Sequence, residues 1–462
     1  LSSLSKNLKI TIRKAHVKVG GTINVTQKIY ASLIINSNMS RRKSISKPAL
    51  VIGIILVIAI VAGVTYYIAT LPPPGPTIKE IKIGLVEPLT GTHAVFGIEA
   101  RQAAELVIEH INAEGGIKNL GGAKLRLIIE DSKDTIEGAK LAAEKLISTE
   151  NVPIIVGAYI SRHTAGMAEV TERSKVILVA DALVDFLSES GWKYFFRAAP
   201  KASIHGATAV DFIIESAKKK GVEIKTIAII NEDSVFGRYV ALGAKKRALD
   251  RGLKIVAEIE YPYDITDMTP IVTRLKAANP DVVVSVPYFY DGVLFAKTAY
   301  EMGFNPKFIA GAGGCGYTDP DSIKAAGKAV EYFSQTYSYD PAKNTPYNKK
   351  FVDDFKNRYG KIPTEAGGII VYSLWTIKEA LELAAKLNPQ DPLNPDNLRE
   401  AFLRLDISSG PAADTYPSGH IRFDVKGDNM YAQAVVLQVI QGQPWLVYPF
   451  ETAQREPVFP RP

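Results

Sequence analysis

The chain has 462 residues, with 55 Lys and Arg against 48 Asp and Glu and a formal net charge of +7. The basic excess lies at one end: residues 1–48 carry ten basic side chains and no acid, which leaves the remainder at a net −3. A nucleic-acid binder carries its excess on the folded domain, so this distribution argues against nucleic acid, and the single cysteine, Cys315, excludes an intrachain disulfide and a Cys-based metal site.

The basic segment 1–48 begins with Leu, and its first methionine is Met39. Reading from Met39 gives a complete targeting segment, so residues 1–38 are expected to be upstream sequence included in the translation. The alternative is a genuine cytoplasmic tail. Residues 48–78 carry no charged side chain. The run Ala49–Ala69 would reach roughly 30 Å as a helix, one hydrocarbon thickness. Arg41, Arg42, Lys43 and Lys47 precede it. Positive charge on that flank places the N-terminus in the cytoplasm and the rest outside. The run is longer than a signal-peptide core and no small-x-small site follows it. It therefore reads as a retained transmembrane anchor or uncleaved signal over 49–69. A proline-rich linker, 70–77, comes next and favours an extended spacer.

From residue 78 the pattern alternates β-branched runs with amphipathic helices. Strands are predicted at 81–86, 124–129, 153–157 and 176–180, with a helix over 99–114 among the segments between them. The YFFRAAP segment at 194–200 breaks the rhythm. A second series follows, with helices at 203–220, 236–251, 269–278 and 291–302. Its strands are predicted at 226–230, 254–260, 281–286 and 307–310. Helices at 346–359, 366–387 and 395–404 come next, and short strands at 420–424 and 432–440 close the chain. Strand–helix alternation of this kind predicts an α/β fold with parallel sheets, in two similar halves joined near residue 200.

In such sheets ligands sit beyond the carboxyl ends of the strands. The turns of interest are 87–97, 158–164, 181–186, 231–237, 287–291 and 311–316. Ser161 follows a strand, reads as a helix cap and would leave backbone N–H groups facing a cleft, a good receptor for a carboxylate. Phe96, Tyr159, Phe236, Tyr288, Phe289 and Tyr290 fall in these turns from both halves, which suits an organic ligand. Gly311-Ala312-Gly313-Gly314-Cys315-Gly316 matches a dinucleotide fingerprint by pattern. The late helix start and the place of the unit at the end of its half favour a flexible turn instead. The histidines show no metal-ligand spacing. No nucleophile–base, metal or cofactor constellation rises above background, so neither catalysis nor a cofactor is expected.

Six segments, IKIGLVEPLTGTHAVFG, INAEGGIKNLGGAKLRLIIEDSKD, VPIIVGAYISRHT, FFRAAP, IAIINEDSVFG and PDVVVSVPYFYDGVLFAKTAYEMGF, occur in an order and spacing that resembles the type I periplasmic solute-binding proteins. The nearest group resembles the leucine/isoleucine/valine and amide/urea receptors of ABC importers. The resemblance implies two Rossmann-like lobes, 78–199 plus 338–419 and 200–337 plus 420–462. Three crossings near 199–202, 335–338 and 418–422 would join them and allow hinge closure on a small solute. It implies an ABC permease as partner and an extracytoplasmic module held at the cell membrane. The alternative is the ligand-sensing ectodomain of a membrane receptor. The carboxylate-binding serine of these proteins falls on Ser161, with the backbone of 161–164 and Thr164 assisting. Their cleft aromatics fall on Phe96, Phe236 and Tyr288. Their ammonium-binding acid falls on Ala312, and their small/hydroxyl triplet on Asp181-Ala182-Leu183. A buried ammonium needs a counterpart, so either Asp181 or Asp291 replaces the acid or the solute is not a zwitterion. The solute class is thus expected to be an amino acid, an amide or a carboxylate.

Overall fold

A computed structural model describes residues 47–70, 78–314 and 316–462. The basic segment up to residue 46, residues 71–77 of the linker and Cys315 lie outside the described residues. Lys47–Thr70 form one 24-residue α-helix. Among the side chains described, no helical run is long and apolar enough to cross a membrane.

From residue 78 the chain builds two sheets. The first contains β1 (Glu80–Glu87), β2 (Lys124–Asp131), β3 (Ile154–Gly157), β4 (Ile177–Val179) and β5 (Phe195–Phe196). Its order is β2-β1-β3-β4-β5 and every pair is parallel. The second contains β6 (Thr226–Glu232), β7 (Lys254–Tyr261), β8 (Val282–Val286), β9 (Phe308–Ala312), β10 (Ser334–Tyr337), β11 (Val435–Ile440) and β12 (Gln443–Tyr448), in the order β12-β11-β10-β9-β8-β6-β7. Its first five strands in sequence repeat the parallel topology of the first sheet, and β11 and β12 add antiparallel at its edge.

Position in the sheet explains the composition of each strand. Central β3 and β8 are buried at every residue and read IIVG and VVVSV, as parallel strands covered on both faces do. Edge strand β2 exposes Lys124 and Arg126, charges that discourage pairing with another chain. Helix Glu365–Leu387 is buried over most of its length against helix Ala94–Ala113 of the first half, so the chain returns there after β10.

The short terminal strands differ from expectation. Residues 420–424 form only isolated bridges, Ile407 with Ile421 and Phe423 with Asn429, because the chain turns back at Asp424–Gly427. Residues 421–429, placed by the sequence in the second lobe, lie beside the first sheet. Asp428 pairs with Arg197 just after β5, and Phe423 meets the rings of Phe196 and Phe402 at 5.3 and 6.0 Å. Strand β12 was not expected from the sequence.

Candidate functional site

In each sheet the strand order reverses next to the first strand, between β1 and β3 and between β6 and β8. Loops beyond such a switch point leave opposite faces and open a crevice. The loops after β1, β3 and β4 and those after β6, β8 and β9 converge on one cleft.

The two halves build their rims alike. Val95-Phe96-Gly97 and Val235-Phe236-Gly237 each open the helix that follows the first strand of their sheet. At both sites the glycine lets the helix lie on the preceding backbone. A Cβ at Gly97 would sit 2.2 Å from the Pro88 carbonyl oxygen, and one at Gly237 would sit 2.2 Å from that of Glu232. Phe96 and Phe236 are thereby fixed at the cleft and both are buried. Ser234 caps the second helix, its Oγ accepting the Gly237 N–H at 3.2 Å and donating to Glu232 Oε1 at 2.7 Å.

Rings from both halves meet. Phe96 stacks on Tyr159 at 4.9 Å, Tyr288 lies 6.2 Å from Phe96, and Phe236 lies 5.5 Å from Tyr288. His93 joins Tyr288 edge-on at 5.3 Å, and its Nδ1 pairs with Asp134 at 2.9 Å. Behind this pair His163 is fully buried, and burial together with the charge of Arg162 holds its pKa down to about 4, so it is neutral at physiological pH. Arg162 crosses the cleft mouth and lies 5.5 Å from the ring centre of Tyr263.

Two cavities share Ser161, Phe236 and Tyr288 as walls. The outer one, about 180 Å³, is completed by His93, Arg162, Ser234 and Tyr263 among others. The inner one, about 10 Å³, is completed by Tyr159, Asp181, Leu183, Gly314 and Glu365. A further cavity of about 220 Å³ lies between Phe96, Tyr263, Tyr288 and Asp291.

The loop after β3 is shaped by side chains. Thr164 Oγ1 accepts the Ala158 N–H at 3.0 Å, and Asp181 Oδ1 accepts the Tyr159 N–H at 2.6 Å. Tyr159 takes a positive φ of 50°. Ser161 is not the cap the sequence suggests. The capping position is Ile160, which has no side-chain acceptor, and Ser161 is the first helical residue, buried at the cavity wall. Ser161 lines both cavities from that position.

Of the residues singled out in the sequence, Tyr159, Ser161, Asp181, Phe236 and Tyr288 share the inner cavity, and Phe96 stands at its side on Tyr159. Thr164, Ala182 and Ala312 are fully buried and do not line these cavities; Leu183 and Gly314 occupy the wall in place of Ala182 and Ala312. Asp291 is buried, accepts the Tyr261 hydroxyl at 2.8 Å, and burial pushes its pKa up to about 7. Sequence reasoning missed two carboxyl groups. Glu365, the first residue of its helix, lines the inner cavity and accepts the Ser338 N–H at 2.6 Å. Glu87, the last residue of β1, is fully buried, and burial with the charge of Asp181 beside it raises its pKa well above the usual carboxylate range. Gly157 of β3 carries no side chain between them; a Cβ there would come within 3.4 Å of Glu87 Oε1 and 2.0 Å of the Val86 carbonyl oxygen.

Residues 80–443 match the family described as periplasmic binding protein. The chain belongs to the periplasmic binding protein family. Among relatives, the Leu/Ile/Val-binding protein homolog 7 of Brucella abortus is 31% identical over 391 residues, covering 82% of this chain and 94% of that protein. The solved leucine-binding protein LivK of Thermotoga maritima superposes with a TM-score of 0.68 at 22% identity, over 79% of this chain and 97% of the other. A solute-binding protein of an ABC transporter from Rhodopseudomonas palustris, solved with 3,4-dihydroxybenzoic acid, superposes with a TM-score of 0.66 at 23% identity, over 79% and 95%. At these identities the two solved structures speak for the fold. The parallel sheets and two-half plan are those of a periplasmic binding protein.

Proposed function

We propose that this periplasmic binding protein is the extracytoplasmic receptor of an ABC importer. It captures a small organic solute by closing its two lobes and hands it to the permease. The observation that carries the reading is the meeting of Phe96, Tyr159 and Ser161 from the first half with Phe236 and Tyr288 from the second around cavities that share walls. A solute placed there touches both halves and so favours their approach, because a ligand shifts a conformational equilibrium by its differential contacts. The Brucella protein carries the name of a Leu/Ile/Val-binding protein homolog, and the importer role is drawn from that likeness. Lobes of 78–199 plus 338–419 and 200–337 plus 420–462 are the proposed division, amended in that residues 421–429 pack beside the first sheet.

Anchoring by the N-terminal helix belongs to the same proposal. Lys47–Thr70 reads KPALVIGIILVIAIVAGVTYYIAT and carries no charge beyond Lys47. At about 1.5 Å per residue it is long enough to span roughly 30 Å of hydrocarbon. Fractionation of cells making the full chain tests it: detergent-dependent release supports anchoring, and soluble recovery of a chain beginning between 62 and 78 contradicts it.

The solute is sought by thermal unfolding of the full chain in detergent against amino acids, amides, urea, aromatic acids and amines. A solute at about 100 times its Kd adds roughly 2.7 kcal/mol, a shift of several degrees. Failure of every solute class to shift the transition would contradict a receptor role.

A further inference from the structure

The structure assigns to the buried ring of His205 and to the polar strand β10 the holding of one wall of the solute cavity, with His205 as a positioning residue. Their bonds tie the glycine turn after β9, and Glu365, to the segments where the chain passes between its proposed lobes. The inference rests on the solute-receptor reading. It names a residue outside the cavity walls that sets solute affinity and lobe closure. It also gives the Gly311–Gly316 run, a dinucleotide fingerprint by pattern, a different role: that of a held wall.

Strand β10 has an unusual composition for its place. It lies between β9 and β11, where burial on both faces favours apolar residues. Yet Gln335 and Thr336, and Ser338 just beyond the strand, are polar and fully buried. Burying such groups is costly unless they are hydrogen-bonded. Two of them reach the turn after β9. Gln335 Nε2 donates to the Gly313 carbonyl, and Thr336 Oγ1 accepts the Gly313 N–H at 2.8 Å. Gly313 is thus held by both its backbone groups, one residue past the end of the β9–β10 ladder. Close approach requires glycine there: with φ at 66°, a Cβ would sit 2.8 Å from Phe236 Cζ and 3.7 Å from His205 Cγ.

His205 completes the network. It lies on helix Ala202–Lys220, just after the first proposed crossing near 199–202, and is fully buried. Its Nδ1 pairs with Thr336 Oγ1 at 2.9 Å and its Nε2 with Ser338 Oγ at 3.0 Å. Thr336 continues the chain of bonds to Gly313, and the Ser338 N–H donates to Glu365 Oε1 at 2.6 Å. Gly314, next to Gly313, and Glu365 both line the inner cavity. One ring therefore connects two proposed crossings, near 199–202 and 335–338, to two groups on the wall of that cavity. Burial holds the pKa of His205 down to about 3, so the ring is neutral, with one nitrogen to donate and one to accept. An apolar side chain in its place would take a partner from both hydroxyls and release the wall.

The test uses the full chain in detergent. The probe is whichever of leucine, acetamide, urea, benzoate and butylamine most raises the unfolding temperature. It is titrated by calorimetry into wild type, His205→Leu and His205→Gln, and neutron scattering with contrast-matched detergent follows compaction. His205→Leu should bind at least tenfold more weakly and should compact less than wild type even when saturated. His205→Gln, which can still bond a hydroxyl, should recover at least threefold of the lost affinity. Melting curves verify that each variant is folded at the temperature of titration. If His205→Leu does not fold, Thr336→Val, which keeps the ring and removes the hydroxyl between it and Gly313, is held to the same tenfold criterion. A folded His205→Leu that binds as tightly as wild type, or compacts as fully when saturated, overturns the inference. So does a loss in His205→Gln equal to that in His205→Leu; these results leave the receptor reading standing. Failure of all five probes to bind wild type overturns the receptor reading and this inference with it.

Discussion

The ring of Tyr288, after β8 of the second sheet, lies 6.2 Å from the ring of Phe96, which opens the helix after β1 of the first. Tyr288 also touches Phe236 and His93 and lines both of the cavities that share Ser161. It is only partly buried, so its truncation should spare the fold. Tyr288→Ala is expected to weaken solute binding by about 10- to 100-fold, in line with loss of a buried aromatic contact worth roughly 1.5–3 kcal/mol. Calorimetry and a melting curve on the same sample check this: unchanged affinity would remove Tyr288 from the site.

Ser161 and Thr164 sit one helical turn apart and should behave differently. Ser161 lines both cavities, whereas the Thr164 hydroxyl accepts the Ala158 N–H within the protein. Ser161→Ala should lower solute affinity by about tenfold or more through loss of one hydrogen bond, with little change in stability. Thr164→Val should cost roughly 1–3 kcal/mol of stability by leaving the buried Ala158 N–H without its acceptor. Denaturant unfolding of both variants separates the two effects, and an unstable Ser161→Ala protein would show that the serine is structural after all.

Arg197 is fully buried where the chain leaves the first sheet. Its Nη2 donates to Asp428 Oδ1 at 2.7 Å and its Nη1 to the Val184 carbonyl at 2.7 Å. Removing one partner strands a buried charge, so Asp428→Ala should destabilise by roughly 3–5 kcal/mol. Pairing it with Arg197→Met should recover part of that loss. Chemical unfolding of the two variants checks the order; equal or greater loss in the double variant would show that Arg197 acts mainly through packing.

Asp291 makes stability depend on pH. Its folded pKa of about 7 lies above an unfolded value near 4, because burial disfavours the carboxylate. The folded chain therefore keeps a proton that the unfolded chain releases. The stability due to this group is full below about pH 4 and is lost as pH rises to about 7. Asp291→Asn keeps an acceptor for Tyr261 and does not titrate. Its stability relative to wild type should grow from pH 4 to pH 7 by on the order of 3–4 kcal/mol. A flat difference across that window would mean that the folded protein holds Asp291 ionised.

Much of this fold can be read from the chain because period and burial agree. The buried runs IIVG and VVVSV and the amphipathic helices between strands announce a parallel α/β plan. Strand β12 escaped because Pro444 near its start argues against a strand, and its hairpin turn, Gln441-Gly442, lacks the usual Asn-Gly or Asp-Gly signal although both residues take positive φ. The cleft aromatics were visible as strand-end residues. The capping role read for Ser161 failed because the helix begins one residue earlier than a serine cap requires. Glu87 and Glu365 were invisible as site residues: one ends a strand and the other opens a helix, where an acid ordinarily answers the helix dipole. The strand order, which brings β1 and β3 side by side with β4 next to them, sets Glu87 near Asp181, and the return of helix Glu365–Leu387 to the first half brings Glu365 to the same cavity as Asp181.

A solute is expected to bind between Ser161 of the first half and Tyr288 of the second. The most direct measurement is calorimetric titration of the full chain and of a Ser161→Ala, Tyr288→Ala double variant with the solute that most raises the unfolding temperature. One solute should bind per wild-type chain, with a loss of at least a hundredfold in the double variant, which should still unfold cooperatively. Equal affinity in the two proteins, or the absence of any solute that raises the unfolding temperature, would contradict that expectation.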